Sequence, residues 1–430
     1  MTFNRIAFLL HTPHALRVVA KRKRRTMLFF GLGILLTTAN AQQPLTLEEA
    51  VQTALSKNEG LKSAESQVDY YKNLKRTSTD IGKLSAVWMH GQYNSVYQDN
   101  NLTVMQTIPF PTALGSQWQL GKEQVSGAEK SLQSDRNTLV LEVKSTYFQL
   151  LYLKSLATLL QTQDSLFSEF AKAAALRFST GEGNLLEKTT AATQSLEVVN
   201  LARQNLADIA IAEAHLQALL KNETPVTTSD VFQKRALPST IVNSVDGNPQ
   251  LAFLRQQVTI RNQLTRVERN RILPDISLGY FVQSLTGLQN VNGQDIFYTR
   301  SKHFQGFELG LSIPFWIVPQ VARVRAAASY AEAARRAADY YQTTLASHYE
   351  QALRELDKDL ASLTYYEDSA LPNASLILAQ ARRSYTGGEI GYVEYLQSLK
   401  NVISIRSNYL MSLNLYNQSV VKIEFLIGKL

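Results

Sequence analysis

The side chains best equipped for chemistry in this 430-residue chain are few and scattered. Beyond residue 41 the histidines are His90, His215, His303 and His348, and none stands at H-E-x-x-H or H-x-x-x-H spacing. Two imidazoles share a zinc ion on one helix face only when one helical turn separates them, so exposed histidines are expected instead. Cysteine is absent, which excludes disulfides, thiolate zinc sites, thiol nucleophiles and iron–sulfur clusters. The run Arg354-Glu355-Leu356-Asp357-Lys358-Asp359 places carboxylates close enough for paired acid–base work. They are interleaved with their own countercharges, however, which is the pattern of a solvated helix face. Gly181-Glu182-Gly183 and Gly387-Gly388 follow no strand pattern, and no G-x-S-x-G, P-loop or G-x-G-x-x-G motif occurs. The residues predict no enzyme, no catalytic group, no cofactor and no metal centre.

Charge narrows the field further. The net charge is +8, but residues 1–41 hold seven Lys/Arg and no Asp or Glu. The remainder carries 37 basic and 36 acidic residues, so no basic surface for nucleic acid is expected. The basic run Lys21 to Arg25, the apolar stretch Met27 to Leu36 and Ala39-Asn40-Ala41 read together as an export signal over 1–41. Ten apolar residues extend roughly 15 Å as a helix, about half a bilayer core. No later window offers 18 continuous apolar residues, so a transmembrane helix is not predicted.

The elements that must position any functional group are long helices and short strands. Thr46-Leu-Glu-Glu49 is a capping box that starts a helix expected to run to about Asp80. Alternating stretches at Ser85 to Ser95 and Leu102 to Phe110 predict a hairpin over 85–110. From Thr112 to Phe178 there is no proline, and Leu139, Val143, Tyr147, Leu150, Leu153, Leu156 and Leu160 form a stripe of coiled-coil period. Another helix is expected from Asn184 to Leu220.

The same order then recurs, which predicts a duplicated unit. Asn248-Pro-Gln-Leu251 echoes Asn58-Glu-Gly-Leu61 at an offset of 190. Ile313-Pro-Phe315 echoes Ile108-Pro-Phe110 at 205, and Tyr385-x-x-Gly388-Glu389 with Glu394 echoes Phe178-x-x-Gly181-Glu182 with Glu187 at 207. The expected organisation is a first repeat over 42–224, a linker over 225–246 and a second repeat over 247–430 with its hairpin at 275–315. In that hairpin Ile276, Leu278, Tyr280 and Val282 on one strand, and Phe307, Leu309, Leu311 and Ile313 on the other, form one apolar face. Ser277, Gly279, Gln283, Glu308, Gly310 and Ser312 form a polar one. Strands of about ten residues with that contrast suit a membrane barrel with a wet lumen. Four strands cannot close such a barrel, so several chains must share it.

In these features residues 45–430 resemble the TolC family of outer-membrane efflux and secretion channels. The carriers are Leu45-Thr-Leu-Glu-Glu-Ala50, Ile-Pro-Phe at 108 and 313, and the aromatic-x-x-Gly turns at 178 and 385. The resemblance implies a mainly α fold with a β-barrel segment: a homotrimer whose four strands per chain make a 12-stranded barrel in outer-membrane lipid, continued by a helical tunnel through the periplasm of a Gram-negative cell. It implies a passive exit duct served by a periplasmic adaptor (membrane fusion) protein and an inner-membrane transporter. The alternative is a non-channel periplasmic coiled coil with structural or adaptor duties. By the same resemblance Gly181, Glu182, Gly388 and Glu389 sit at adaptor-docking tips. Glu394, with Glu187 as its repeat mate, belongs to a tunnel gate whose second acidic position is replaced by Gln397. Pro372, which should kink or break the second long helix, and the missing acylation cysteine are departures from the family pattern.

Overall fold

The computed structural model describes residues 45–222, 226, 228–237 and 245–429. The export signal expected at 1–41 and part of the expected linker lie outside these residues. The capping box forms: the Thr46 hydroxyl accepts from the Glu49 N–H, and the Glu49 carboxylate accepts from the Thr46 N–H at 2.9 Å. The helix it starts is not continuous to Asp80. It divides into α1 (Leu47–Lys57) and α2 (Glu59–Arg76) at Asn58, whose extended backbone ends one helix while its side chain caps the next through the Gly60 and Leu61 N–H groups. Beyond the hairpin strands β1 (Ser85–Gly91) and β2 (Asp99–Ile108) come α3 (Pro111–Ser179) and α4 (Leu185–Leu220). The second half contains α5 (Pro249–Asn270), β3 (Asp275–Ser284), β4 (Gly287–Val291), β5 (Gln294–Tyr298), β6 (His303–Ser312), α6 (Val318–Tyr365), α7 (Leu371–Thr386) and α8 (Tyr392–Ile427).

Strands β1, β2, β3 and β6 form one antiparallel sheet in that spatial order. Register places Ile108, Ile276 and Leu311 in one row, Val104, Tyr280 and Phe307 in another, and Trp88, Leu102 and Val282 in a third. This is the expected apolar face, and it is uncovered: Phe307 and Leu309 are 88% and 74% exposed. Amides intrude at Gln106, which donates to the Ile81 and Thr107 carbonyls, and at Gln305 opposite Val282, which accepts from the Tyr280 hydroxyl at 2.6 Å. On the other face Ser277 opposes Gly310 and Gly279 opposes Glu308, while the Phe281 ring covers Gly306 so closely that a Cβ there would meet it at 2.7 Å. Strand β6 stops at Ser312 rather than Phe315, since Pro314 has no N–H to continue a ladder.

The polar stretch 285–302 between β3 and β6 carries its own hairpin β4–β5. Its turn is Asn292-Gly293, both at positive φ, the pairing that matches the twist of a two-residue hairpin. The Phe297 ring meets Tyr97 edge-on, and the Arg300 guanidinium donates to the Gln98 carbonyl at 3.1 Å. Buried Asp99 accepts from the Ser95 and Ser284 hydroxyls and from the Thr286 N–H. These contacts join the loop of the first hairpin to that of the second.

The helices form a wall in two tiers that share α3 and α6. Nearer the sheet the packing order is α2–α3–α5–α6, and farther from it α4–α3–α8 followed by α6 and α7. The predicted stripe is the inner face of α3: Val143, Tyr147 and Leu150 are fully buried against Ala50 and Ala54 of α1 and Leu216 of α4. A second core joins Leu345, Tyr349, Ala352 and Leu356 of α6 to Tyr416, Val420 and Ile423 of α8. Asp359 lies on the same α6 stripe, buried and accepting from the Ser419 hydroxyl at 2.6 Å. The run 354–359 is therefore not wholly solvated, because a residue three positions past buried Leu356 also turns inward. The expected break at Pro372 is a π turn over Tyr366–Ala370, closed by the Leu371 N–H on the Tyr366 carbonyl. The wider turn accommodates a ring that would otherwise clash with the carbonyl four residues back.

Two polar clasps hold residues 228–237 across this wall, one at the exposed Asp230 and one at the buried Glu424. Asp230 accepts from the Tyr147 hydroxyl and from the Leu47 N–H, both at 2.9 Å, so it also serves the first turn of α1. Burial and the neighbouring Asp230 carboxylate push the Tyr147 hydroxyl well above the ordinary tyrosine range. Glu424 of α8, buried, accepts from Lys144 of α3 at 2.8 Å and from both guanidinium nitrogens of Arg235, Nε and Nη2, at 3.2 and 2.9 Å. Removing one partner of such a group strands the others without countercharge, at a cost of about 3–5 kcal/mol. Glu424→Gln is therefore expected to lower the unfolding midpoint of the detergent-purified protein by several degrees. An unchanged midpoint would contradict this account of the clasp.

Candidate functional site: the helix-reversal tip

The end of the wall farthest from the sheet is built by two reversals, α3 into α4 and α7 into α8. After α3 the Glu182 and Gly183 N–H groups both return to the Arg177 carbonyl at 2.9 Å, and after α7 the Glu389 N–H returns to Ser384 at 2.8 Å. Each requires one left-handed residue, supplied by Gly181 (φ 82) and Gly388 (φ 75). A Cβ added at either would meet nothing within 4 Å, so these glycines serve conformation and leave the surface open. Glu182 and Glu389 are exposed beside them. Leu185, Leu186 and Val393 are exposed on the turns that follow.

The aromatic residue of each turn packs on the side chain ten positions later, at matching places in the two halves. Lys188 sits 4.8 Å over the Phe178 ring, and Tyr395 stacks on Tyr385 with centroids 4.6 Å apart. Phe170 of α3 stacks on Tyr392 at 4.4 Å and 6°, joining α3 to α8. The Tyr392 hydroxyl donates to the Glu187 carbonyl at 3.3 Å, so the two reversals are bonded to each other. Burial first, then the Glu187 and Tyr385 charges, push the Tyr392 hydroxyl up to about 12. Sequence reasoning missed this aromatic clamp of Phe170, Tyr385, Tyr392 and Tyr395. The three-residue step from Tyr392 to Tyr395 was its visible trace.

Glu187 and Glu394 occupy the third position of α4 and α8. Asn184 caps α4 by accepting from the Glu187 N–H at 2.8 Å. At α8 the equivalent residue is Gly391, which has no side chain, and Glu394 reaches back to accept from the Gly391 N–H at 3.0 Å. A carboxylate there is further favoured by the helix N-terminus. Glu394 and Gln397 share the exposed face of α8 while Tyr392, Leu396 and Leu399 face inward. Gln397 donates to Asn401. The histidines are exposed, as expected; His215 touches the Thr146 hydroxyl at 3.3 Å and His90 touches Asn100 at 2.7 Å. Among the described residues no group of three or more His, Asp or Glu is arranged to hold a metal ion.

Comparison with known proteins places this architecture. The family model described as outer membrane efflux protein matches residues 240–429. The cobalt-zinc-cadmium resistance protein CzcC of Cupriavidus metallidurans is 21% identical over 406 residues, covering 90% of this chain and 91% of that protein. Among solved structures, CusC superposes with a TM-score of 0.74 at 15% identity, covering 90% of this chain and 93% of the other. The open state of the MtrE outer membrane channel of Neisseria gonorrhoeae gives 0.72 at 14% identity, covering 89% and 88%. The structural likenesses establish the fold, a helical tunnel wall with a barrel segment. Residues 240–429 thus match the outer membrane efflux protein family, and along nine-tenths of its length the chain is similar to CzcC and shares the fold of the CusC and MtrE channels.

Proposed function

We propose that three copies close head to tail into one passive exit duct. The observation that carries this reading is the agreement of edges at every level. The sheet ends at β1 on one side and β6 on the other, the upper tier ends at α2 and α6, and the lower tier at α4 and α7. The free elements of the earlier half thus lie on one side and those of the later half on the other, so a single rotation pairs all three tiers at once. Such heterologous contacts make a closed ring when the rotation closes, and three copies of four strands give twelve. Closure also satisfies the backbone groups of β1 and β6, which lipid cannot do. The two halves, 42–224 and 247–430, are read as one duplicated unit joined by 225–246, with 1–41 as the export signal.

In this reading a periplasmic adaptor docks on the turns at Gly181-Glu182 and Gly388-Glu389, and an inner-membrane transporter supplies the energy. The open space around both glycines and the exposed Leu185, Leu186 and Val393 give that partner a firm, partly apolar surface. Glu394, with Glu187 as its repeat mate on α4 and Gln397 one turn further along α8, forms the gate. Its capping bond pins the carboxylate to the first turn of α8. Three such carboxylates around an axis repel one another and attract cations. The likeness to a cobalt-zinc-cadmium resistance protein makes divalent cations the first cargo to test.

Three outcomes are expected. An epitope inserted at Gly293 is reached by antibody on intact cells; labelling only after lysis would invert the topology. Replacing Gly181 and Gly388 together with valine abolishes export while the trimer survives, and undiminished export would remove the docking role. In planar bilayers Glu394→Gln lowers cation selectivity and block by divalent cations severalfold. The amide oxygen can still accept from Gly391, so unchanged selectivity would count against the gate and not against folding.

A further inference from the structure

The residues around the periplasmic base of the sheet differ from the rest of the chain in charge. Residues 72–84, 109–125, 264–275 and 313–325 together hold ten Lys/Arg and four Asp/Glu, whereas residues 42–430 as a whole are nearly neutral, with 37 against 36. Above this collar the outward apolar alternation of β6 continues past the strand. Leu311 and Ile313 are exposed, Phe315 is 97% exposed and Trp316 is 68% exposed. An aromatic belt of this kind marks where a barrel leaves hydrocarbon for the headgroup layer.

Within the collar one cavity of about 520 Å³ lies between the last turn of α2 and the start of α3, lined by Lys72, Lys75, Arg76, Thr79, Trp118 and Val125. Its shape is set by Gly121. A Cβ at that position would stand 3.2 Å from the Lys75 Cα and 2.9 Å from the Ser78 hydroxyl, so only glycine lets α2 settle this closely on α3. The close approach carries the Lys75 ammonium to 5.1 Å over the Trp118 ring. Among the described residues the only carboxylate paired with the three cations is Asp69, 3.4 Å from Lys72 and largely exposed. Trp118 lies seven residues into α3, roughly 10 Å below the first residue of that helix at 1.5 Å per residue. The interfacial layer on each side of the hydrocarbon is roughly 5–8 Å deep. Long cationic side chains rising from the cavity therefore reach the phosphates of the periplasmic leaflet, with Trp118 beneath them at the level of the headgroups.

We infer that this cavity is a binding site for the phosphodiester headgroup of an anionic phospholipid in the periplasmic leaflet. The cations at the end of α2 also complement the helix C-terminus, but that role needs neither Trp118 nor the glycine that brings it under Lys75. The site gives a chain without an acylation cysteine a specific hold on the same leaflet. The inference rests on the barrel orientation proposed above, although binding is measured without reference to conduction.

The test uses the detergent-purified full-length protein carrying Trp88→Phe and Trp316→Phe, so that Trp118 is the only indole. Its fluorescence is followed on adding dioctanoyl phosphatidylglycerol, dioctanoyl phosphatidylcholine or glycerol 3-phosphate. Saturable binding of the anionic lipid, at least roughly tenfold tighter than the zwitterionic one, is expected, with no response to glycerol phosphate at the same concentrations. The triple change Lys72→Gln, Lys75→Gln, Arg76→Gln should weaken binding at least roughly tenfold. The single change Arg76→Gln, at an exposed position, should weaken it severalfold and guards against a folding defect in the triple variant. Equal affinity for both lipids, or unchanged binding by Arg76→Gln and the triple variant, overturns the site. Binding of glycerol phosphate as tight as that of the lipid makes it a free-phosphate site and overturns the lipid assignment. Normal lipid binding by a protein that forms no channel would sink the duct and leave this site standing.

Discussion

The constraint on which the architecture depends is that a four-stranded sheet with an apolar outer face has two edges it cannot leave open. In lipid no solvent satisfies the N–H and C=O groups of β1 and β6, and the penalty for each is several kcal/mol. The chain carries its open edges to the same two sides at every level, so that in the ring proposed above what seals the sheet also seals the helical wall. Membrane insertion and assembly are then one problem. Exposed side chains such as Phe307 and Leu309 are stable only where lipid takes the place of water, and the strand edges are stable only where another copy is present.

Below the sheet, stability comes from a different source. The cores around Tyr147 and Tyr416 are ordinary helix packing, but the wall is also tied laterally by polar groups, Glu424 buried within it and Asp230 at its surface. Glu424 is shared by Lys144 and Arg235, and Asp230 is shared by Tyr147 and the start of α1. Such groups stabilise little by themselves compared with an apolar packing of the same volume, yet they penalise any register but one. At the tip the same function passes to aromatic stacking, with Phe170, Tyr385, Tyr392 and Tyr395 joining helices that water surrounds on their other faces.

What could be read in the residues was whatever depends on neighbours in sequence. The Thr46 and Glu49 cap, the α3 stripe, the alternation in β3 and β6 and the glycine reversals are local patterns, and each folds as its pattern says. Asn58 was harder, because an asparagine followed by Glu-Gly is compatible with both a helix interior and a cap, and only its extended backbone decides. The β4–β5 hairpin was hidden by composition: its polar residues resemble a loop, and its stability comes from Tyr97 and Asp99 far away in the chain. Asp359 reads as surface until α8 brings Ser419 to it. At the candidate site the positions of Glu187 and Glu394 were legible, but the capping role of Glu394 follows from Gly391 lacking a side chain, a consequence of an absence that no motif marks. The contacts of α3 with α7 and α8 were beyond reach because they exist only once the two halves meet.

The two long helices differ in one respect that bears on how force travels through the wall. Helix α3 runs without interruption from Pro111 to Ser179, so a push at its lower end is delivered to the sheet as to the end of a rod. The matching path through α6 and α7 passes a π turn at Tyr366–Ala370, where the hydrogen-bond ladder changes spacing and Pro372 contributes no donor. Bending stiffness is therefore unequal within the chain, and in the ring of three proposed above stiff struts would alternate with jointed ones. In the duct proposed above, a load applied evenly to the tip would bend the jointed members before the stiff ones, so the direction of yielding would be set by the wall itself.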